Sequence, residues 1–401
     1  MKLRFYLLGK IDSKNPSAIP KKQILKWHNE GVLTYLGENS DVREFIKYAD
    51  CIVLPSYYKE GIPRVLLESL ALKTPIITTI NNGCKELVTI KNIDFNAINI
   101  GSNGILIKPK DEKLLYEAML TFSTLDRKNL ALNALQESKK YDINIINNIY
   151  KNKILDKYLH KTNNKNIVFV SNSCFGMFNF RLKTLQFIRD LGFSIHIIAP
   201  FDNTTKYLLD NHFKCYDIFI DPKSINPLKE LRFINELKNH IKKINPNMVI
   251  NYTIKPVIYG SFVANKLKIP NIAITTGLGY VFIPKGIIKS IFKKFVVKLY
   301  KIALKNTKEI WFLNKDDRDE FINLNIIESS KSFILPSEGI DLEHFRIDFI
   351  KNIDFKPNTK AQEEYLNKKD DEIRFLLIAR MLYDKGVYEF YQAAKMYKNS
   401  L

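Results

Sequence analysis

The stretch SYYKEGIPRVLLESLALKTPIITTINNG, Ser56 to Gly83, decides how this chain folds. It follows an unbroken apolar run, CIVLP at Cys51–Pro55, and holds a second, PIITT at Pro75–Thr79. Between them RVLLESLAL carries apolar residues at helical spacing, and Pro63 suits the first turn, where its missing N–H is not needed. Strand, helix, strand is a βαβ unit, and strands apolar throughout belong to a parallel sheet covered on both faces. Glu60 and Gly61 fall in the loop entering the helix, at the carboxyl end of a strand, where open parallel sheets bind ligands. The helix N-terminus there suits a phosphate. Gly61 lets a ligand approach the backbone, and Glu60 and Glu68 can accept hydrogen bonds from sugar and ribose hydroxyls. On spacing alone, two such glutamates are more often simply solvated.

The same alternation extends outward. Before the stretch come LRFYLLG (Leu3–Gly9) and LTYLG (Leu33–Gly37), and after it GILIK (Gly104–Lys108). A helical tail runs from about Glu112 to His160, and KTNNKN, Lys161–Asn166, reads as a linker. A second series follows: NIVFVSN, SIHIIAP, CYDIFI, NMVINYT, NIAITTG, EIWFLN and SFILPSEG. After a polar stretch come one more strand, IRFLLIAR (Ile373–Arg380), and one helix. The expected fold is α/β, with two Rossmann-like doubly wound parallel sheets facing a cleft. The expected domains are 1–160, 161–345, and a return segment 346–401 that brings the first strand and helix of the first domain.

The chain has 401 residues, 46% hydrophobic, enough for two cores. Its four cysteines, Cys51, Cys84, Cys174 and Cys215, show no metal spacing and no disulfide frame, which suits a reducing cytosol. No leader and no membrane-spanning apolar run is read. The net charge of +20 admits nucleic acid, an anionic membrane or phosphate-rich substrates, or plain Lys/Ile/Asn-rich coding bias. No nucleic-acid-binding signature is present, so that partner is not expected.

Read together, SYYKEGIPRVLLESLALKTPIITTINNGCKELV, the downstream NGILIKPKD and the upstream YLGENSDVREFIKYADCIVLPS resemble the signature region of family-4 glycosyltransferases, including an E-x7-E motif. The resemblance covers Met1 to about Leu120. It implies a retaining enzyme of GT-B fold using a nucleotide sugar, with a UDP-hexose or UDP-N-acetylhexosamine as the expected donor. Glu60 would then face the donor sugar, Glu68 the ribose, and Gly61 and Ile62 would offer backbone N–H groups. A basic pair matching Arg380 and Lys385 of ARMLYDKG would hold the diphosphate, so no metal or other cofactor is expected. Arg64 adds charge nearby, or is an ordinary exposed helix arginine.

The second series resembles the acceptor half of the same family, in FVSNSCFGMFNFRL, NYTIKPVIYGSFVANKL, TTGLGYVF and SEGIDLEHF. The likeness is to the bacterial subgroup that extends lipid-linked surface glycans. Gly176 would lie near the donor phosphates, and Gly277 and Gly279 would shape another cleft loop. Many members carry a histidine in this half, near the donor sugar, where this chain reads NYTIKP; the resemblance implies that Asn251, Thr253 or Lys255 would serve instead. His196 reads as an ordinary strand residue.

In the family the acceptor half comes first. Here the strand and helix that should open the donor half come last, so the chain reads as a circular permutant or a fusion of two genes. Either way Leu3–Gly9 should lie parallel to Ile373–Ala379, within one chain or in a segment-swapped dimer. PKGIIKSIFKKFVVKLYKIALK, Pro284–Lys305, has seven lysines, no acid, and apolar residues at helical spacing. It reads as a basic amphipathic helix resting on an anionic membrane near a polyprenyl-diphosphate-linked glycan acceptor, or as a surface helix with an ordinary core face. The expected location is cytoplasmic, peripheral on the inner face of the membrane. The alternatives are a soluble sugar acceptor and an inactive permuted remnant that only binds nucleotide sugar.

Overall fold

Fourteen strands form two sheets in the computed structural model, which describes residues 2–159, 165–221, 226–278, 282, 287–350 and 355–400. Gly279, Lys285 and most of the expected linker lie outside the described residues. The chain divides into two units: 1–59 with 63–142 and 340–401, and 60–62 with 143–339.

In the first unit β1 (Lys2–Leu8), β2 (Thr34–Tyr35), β3 (Cys51–Leu54), β4 (Ile76–Thr79), β5 (Asn99–Ile100), β6 (Gly104–Ile107) and β14 (Glu372–Ile378) form a sheet ordered β2-β1-β14-β3-β4-β6-β5. β14 enters its centre. It pairs in parallel with β1 from Lys2↔Glu372 to Leu8↔Ile378, and with β3 at Phe375↔Cys51. The pairing foreseen for Leu3–Gly9 and Ile373–Ala379 is therefore present within one chain. Apolar side chains drive it: Phe5 stacks on Phe375 at 5.8 Å between centroids, and both lie in a core with Leu3, Leu7, Leu377 and Phe390. β5 pairs antiparallel with β6 and was not foreseen, because two residues carry no periodicity. The polar stretch before β14 contains a helix, Lys360–Leu366, capped by Thr359. Tyr365 Oη donates to Phe45 O at 2.7 Å and Gln362 Nε2 to Leu36 O at 2.8 Å, which fasten this helix to the unit.

In the second unit β7 (Asn166–Val170), β8 (Ser194–Ile198), β9 (Lys214–Tyr216), β10 (Met248–Tyr252), β11 (Asn271–Thr275), β12 (Glu309–Phe312) and β13 (Ser332–Ile334) form an all-parallel sheet ordered β13-β12-β11-β10-β7-β8-β9. CYDIFI is strand only at its start; Ile218 and Ile220 leave the sheet edge and bury against Phe233 and Leu237 instead. The helical stretch after Asp142 packs here, with Ile146, Tyr150, Ile154 and Leu155 in the core that holds Phe169, Tyr252 and Trp311.

Candidate functional site

In the first unit the carboxyl ends of β14 and β3 meet through a loop-to-loop clasp. Asp384 O accepts from Tyr57 N (3.0 Å), Tyr58 N (3.2 Å) and Ser56 Oγ (3.2 Å). Gly386 makes it possible. Its φ is +75°, and a Cβ there would lie 2.2 Å from Pro55 O. Both expected diphosphate cations lie past the carboxyl end of β14, Arg380 two residues beyond it and Lys385 directly after the clasping Asp384. Lys385 Nζ lies 5.6 Å from the centroid of the Tyr58 ring. Arg380 is exposed, and its Nη1 donates to Asp12 Oδ2 at 3.1 Å. The helix after Gly386, Val387–Asn399, packs Val387, Phe390 and Ala394 into the core.

The helix Arg64–Ala71 begins after Pro63 as expected. Arg64 Nε donates to Glu68 Oε1 at 2.9 Å, one turn along. Burial pushes the Glu68 carboxyl above its ordinary range, and the Arg64 cation beside it pulls the other way. Sequence spacing treated Arg64 and Glu68 as separate ligand groups; the structure makes them a pair. Glu60, Gly61 and Ile62 group with the second unit. Asn314 Nδ2 donates to Glu60 O at 3.3 Å, Ile62 packs on the second core, and a Cβ on Gly61 would lie 2.7 Å from Thr276 O. Gly61 is thus demanded by backbone packing, not only by room for a ligand.

In the second unit Gly176 sits in the first turn of the helix Cys174–Asp190, and its N–H is taken by the capping Ser173 Oγ at 3.1 Å. Gly176 O accepts from Arg181 Nη1 at 2.9 Å. Arg181 is buried, pairs with Glu338 Oε1 at 2.6 Å, and lays its guanidinium 4.0 Å from the centroid of the Tyr252 ring. Tyr252 and Tyr150 share a 2.6 Å hydroxyl contact, and burial raises both phenols. No sequence signal flagged this network, because its members lie far apart along the chain. Lys255, one of three replacements for the absent histidine, is tied to Glu230 on the helix Pro227–Ile244. Gly277 has φ +125° just past β11. His196 is buried in β8 and bonds Tyr216 Oη at 3.0 Å, in keeping with a strand residue.

The lysine-rich segment forms the helix Ile287–Leu304. Val296, Tyr300, Ala303 and Leu304 bury, whereas Ile291, Phe295 and Ile302 are 64%, 56% and 54% exposed beside exposed Lys294, Lys298 and Lys301. Lys293 pairs with Glu320 at 2.8 Å. The side chains of Ile287, Ile288 and Lys289 lie outside the described residues. Among the described residues, no helix is long and apolar enough to cross a membrane.

Residues 2–140 match the family described as glycosyl transferases group 1, and residues 166–314 match glycosyl transferase 4-like. The chain is 27% identical over 235 residues to N,N'-diacetylbacillosaminyl-diphospho-undecaprenol alpha-1,3-N-acetylgalactosaminyltransferase of Campylobacter jejuni, covering 58% of this chain and 61% of that protein. It is 27% identical over 163 residues to an uncharacterized glycosyltransferase of Methanocaldococcus jannaschii, covering 35% of this chain and 39% of that protein. The matched stretches thus span 61% and 39% of these curated relatives' own lengths. A glycosyltransferase from Rickettsia africae aligns with a TM-score of 0.34 at 19% identity, over 43% of each chain. Two stretches of the chain, residues 2–140 and 166–314, are thus each similar to a glycosyltransferase family, the first to group 1 and the second to the 4-like family.

Proposed function

We propose that this chain is a retaining glycosyltransferase of GT-B type that moves a sugar from a nucleoside diphosphate to a hydroxyl of a polyprenyl-diphosphate-linked glycan. The observation that carries the reading is the clasp between Ser56–Tyr58 and Asp384. It joins the loop after β14, which carries Arg380 and Lys385, to the loop after β3 in the stretch 2–140 that matches a glycosyltransferase family. The name of the Campylobacter relative supports a lipid-linked acceptor. The donor C1–O bond breaks as the acceptor oxygen bonds C1 on the same face, and the leaving diphosphate takes the acceptor's proton. Arg380 and Lys385 stabilise the charge growing on that diphosphate, and Glu60 orients the donor sugar. The exposed Ile291, Phe295 and Ile302, flanked by lysines, suit contact with an anionic bilayer at the cytoplasmic face. The parallel pairing of β1 with β14 supports a permuted order in which the last strand completes the first sheet.

The test is a transfer assay with UDP-sugars and short prenyl-diphosphate glycans, read by product mass, beside UDP binding followed by melting temperature. Glu60→Ala should abolish transfer and leave UDP affinity nearly intact. Equal loss of both would refute the assigned role, and a wild-type protein that UDP does not stabilise would refute the function.

A further inference from the structure

The helix Arg64–Ala71 opens with a cation where a cation is unwelcome. Arg64 holds its first position, beside the positive end of the helix dipole; the first turn carries no acid, and no side chain among the described residues caps it. An arginine one turn before a glutamate is also the weaker order for such a pair. Helix stability alone therefore does not ask for Arg64, and breaks of a local rule gather at functional sites. What Arg64 does is hold Glu68. Its Nε donates to Glu68 Oε1 at 2.9 Å, with 30% of the Arg64 side chain and 14% of the Glu68 side chain exposed.

The surroundings make that hold necessary. Burial acts most strongly on the Glu68 carboxyl and pushes it up, toward the neutral form; Arg64 pulls it down, Asp41 pushes it up and Arg43 pulls it down. Arg43 opens the neighbouring helix Arg43–Tyr48 and is committed to other groups. Its Nε donates to Asp41 Oδ1 at 2.8 Å, its Nη2 to Asp41 Oδ2 at 2.6 Å, and its Nη1 to His344 O at 3.3 Å. On the same helix Glu44 meets Lys47. The helix Arg127–Ser138 also packs here; its Arg127 meets Asp50, its Glu137 meets Lys140, and Lys128 is exposed. β3 and β4 bring no charged side chain. Arg64 is the cation that offsets burial at Glu68.

A carboxylate held this way still has capacity for a ligand. It offers about four acceptor sites, and the Arg64 Nε bond takes one. A ribose presents two adjacent hydroxyl donors, and an ionised acceptor binds such donors about twice as strongly as a neutral one. We infer that Arg64 is a positioning residue: it does not touch the donor, but holds the Glu68 carboxylate aimed and charged for the ribose of a nucleoside diphosphate. This rests on the glycosyltransferase reading above, and on Glu68 as the group that meets the ribose.

Two probes test it by titration calorimetry between about pH 5 and 8: UDP, and 2′,3′-dideoxy-UDP, which lacks both ribose hydroxyls. Wild type should prefer UDP about tenfold, the worth of a bond to a charged group. Arg64→Gln should weaken UDP about tenfold at about pH 6, leave dideoxy-UDP unchanged, and move the acid loss of UDP affinity to higher pH, because Glu68 then takes up its proton sooner. Arg64→Lys keeps the charge and should restore the wild-type acid limb. Glu68→Gln should remove the preference for UDP at every pH, and Arg64→Gln added to it should cost nothing further. Equal weakening of both probes by Arg64→Gln overturns the inference, because Arg64 would then meet the diphosphate or only hold the helix. Unchanged UDP affinity, an unmoved acid limb, or a preference that survives Glu68→Gln overturns it as well. Wild type that binds both probes alike refutes the ribose role of Glu68 and this inference with it, and leaves the glycosyltransferase reading standing; wild type that binds neither refutes that reading too.

Discussion

Replacing Gly386 by alanine tests whether the clasp holds the tail of the chain in place. The left-handed backbone at φ +75° costs an alanine about 1–2 kcal/mol. The new Cβ would also stand 2.2 Å from Pro55 O, a backbone atom that cannot swing away. Such overpacking adds about 1–3 kcal/mol. The sum, roughly 2–5 kcal/mol, corresponds to a fall on the order of 10 °C for a unit of this size. Gly31→Ala is the control. Its φ is +64°, but the nearest atom to a new Cβ is the flexible Lys398 Nζ at 3.9 Å, so only the conformational part is felt. That part is worth about 2–8 °C. Differential scanning calorimetry reads both, and UDP titration in the same samples should show weaker binding for Gly386→Ala alone. Equal melting temperatures for the two variants would refute the claim that Pro55 and Gly386 are pressed together.

Two further outcomes follow from buried polar groups. Burial, helped by nearby Lys214, holds the His196 imidazole down at about 4, from an ordinary 6.5. As pH falls through that window the unfolded chain takes up a proton that the folded chain refuses, so stability drops. His196→Gln should remove about 1–3 kcal/mol of that acid sensitivity in urea melts between pH 7 and 4, and parallel curves for the two proteins would refute it. Glu338→Ala leaves the Arg181 guanidinium buried with its ion pair broken, and should cost about 3–5 kcal/mol in the same melts; a loss under about 1 kcal/mol would show that the pair is dispensable.

Local chemistry was enough to read most of the fold. Apolar runs separated by helical periods gave two parallel sheets, because a strand buried on both faces has no polar side to show. Pro63 marked its helix start, since a residue without an N–H is harmless in a first turn. The placement of β14 beside β1 was legible from family order, and the aromatic faces of Phe5 and Phe375 explain why the register holds. The short β5 and the early end of β9 were not legible, because two or three residues at a sheet edge are fixed by their neighbours and not by their own pattern.

For the site, sequence supplied the residue types, and tertiary structure decided what each is free to do. Spacing along a chain cannot say that Lys255 is tied to Glu230, that Arg64 is spent on Glu68, or that Asp202 already caps the helix where Gly176 was expected to meet phosphate. Nor can it say that Ser171 and Thr253, more than 80 residues apart, follow neighbouring strands and have hydroxyls with no hydrogen-bond partner among the described residues. Charge and hydrogen-bonding capacity are intrinsic to a residue. Whether that capacity is used up depends on which partner the fold brings within about 3 Å, and only the folded chain settles that.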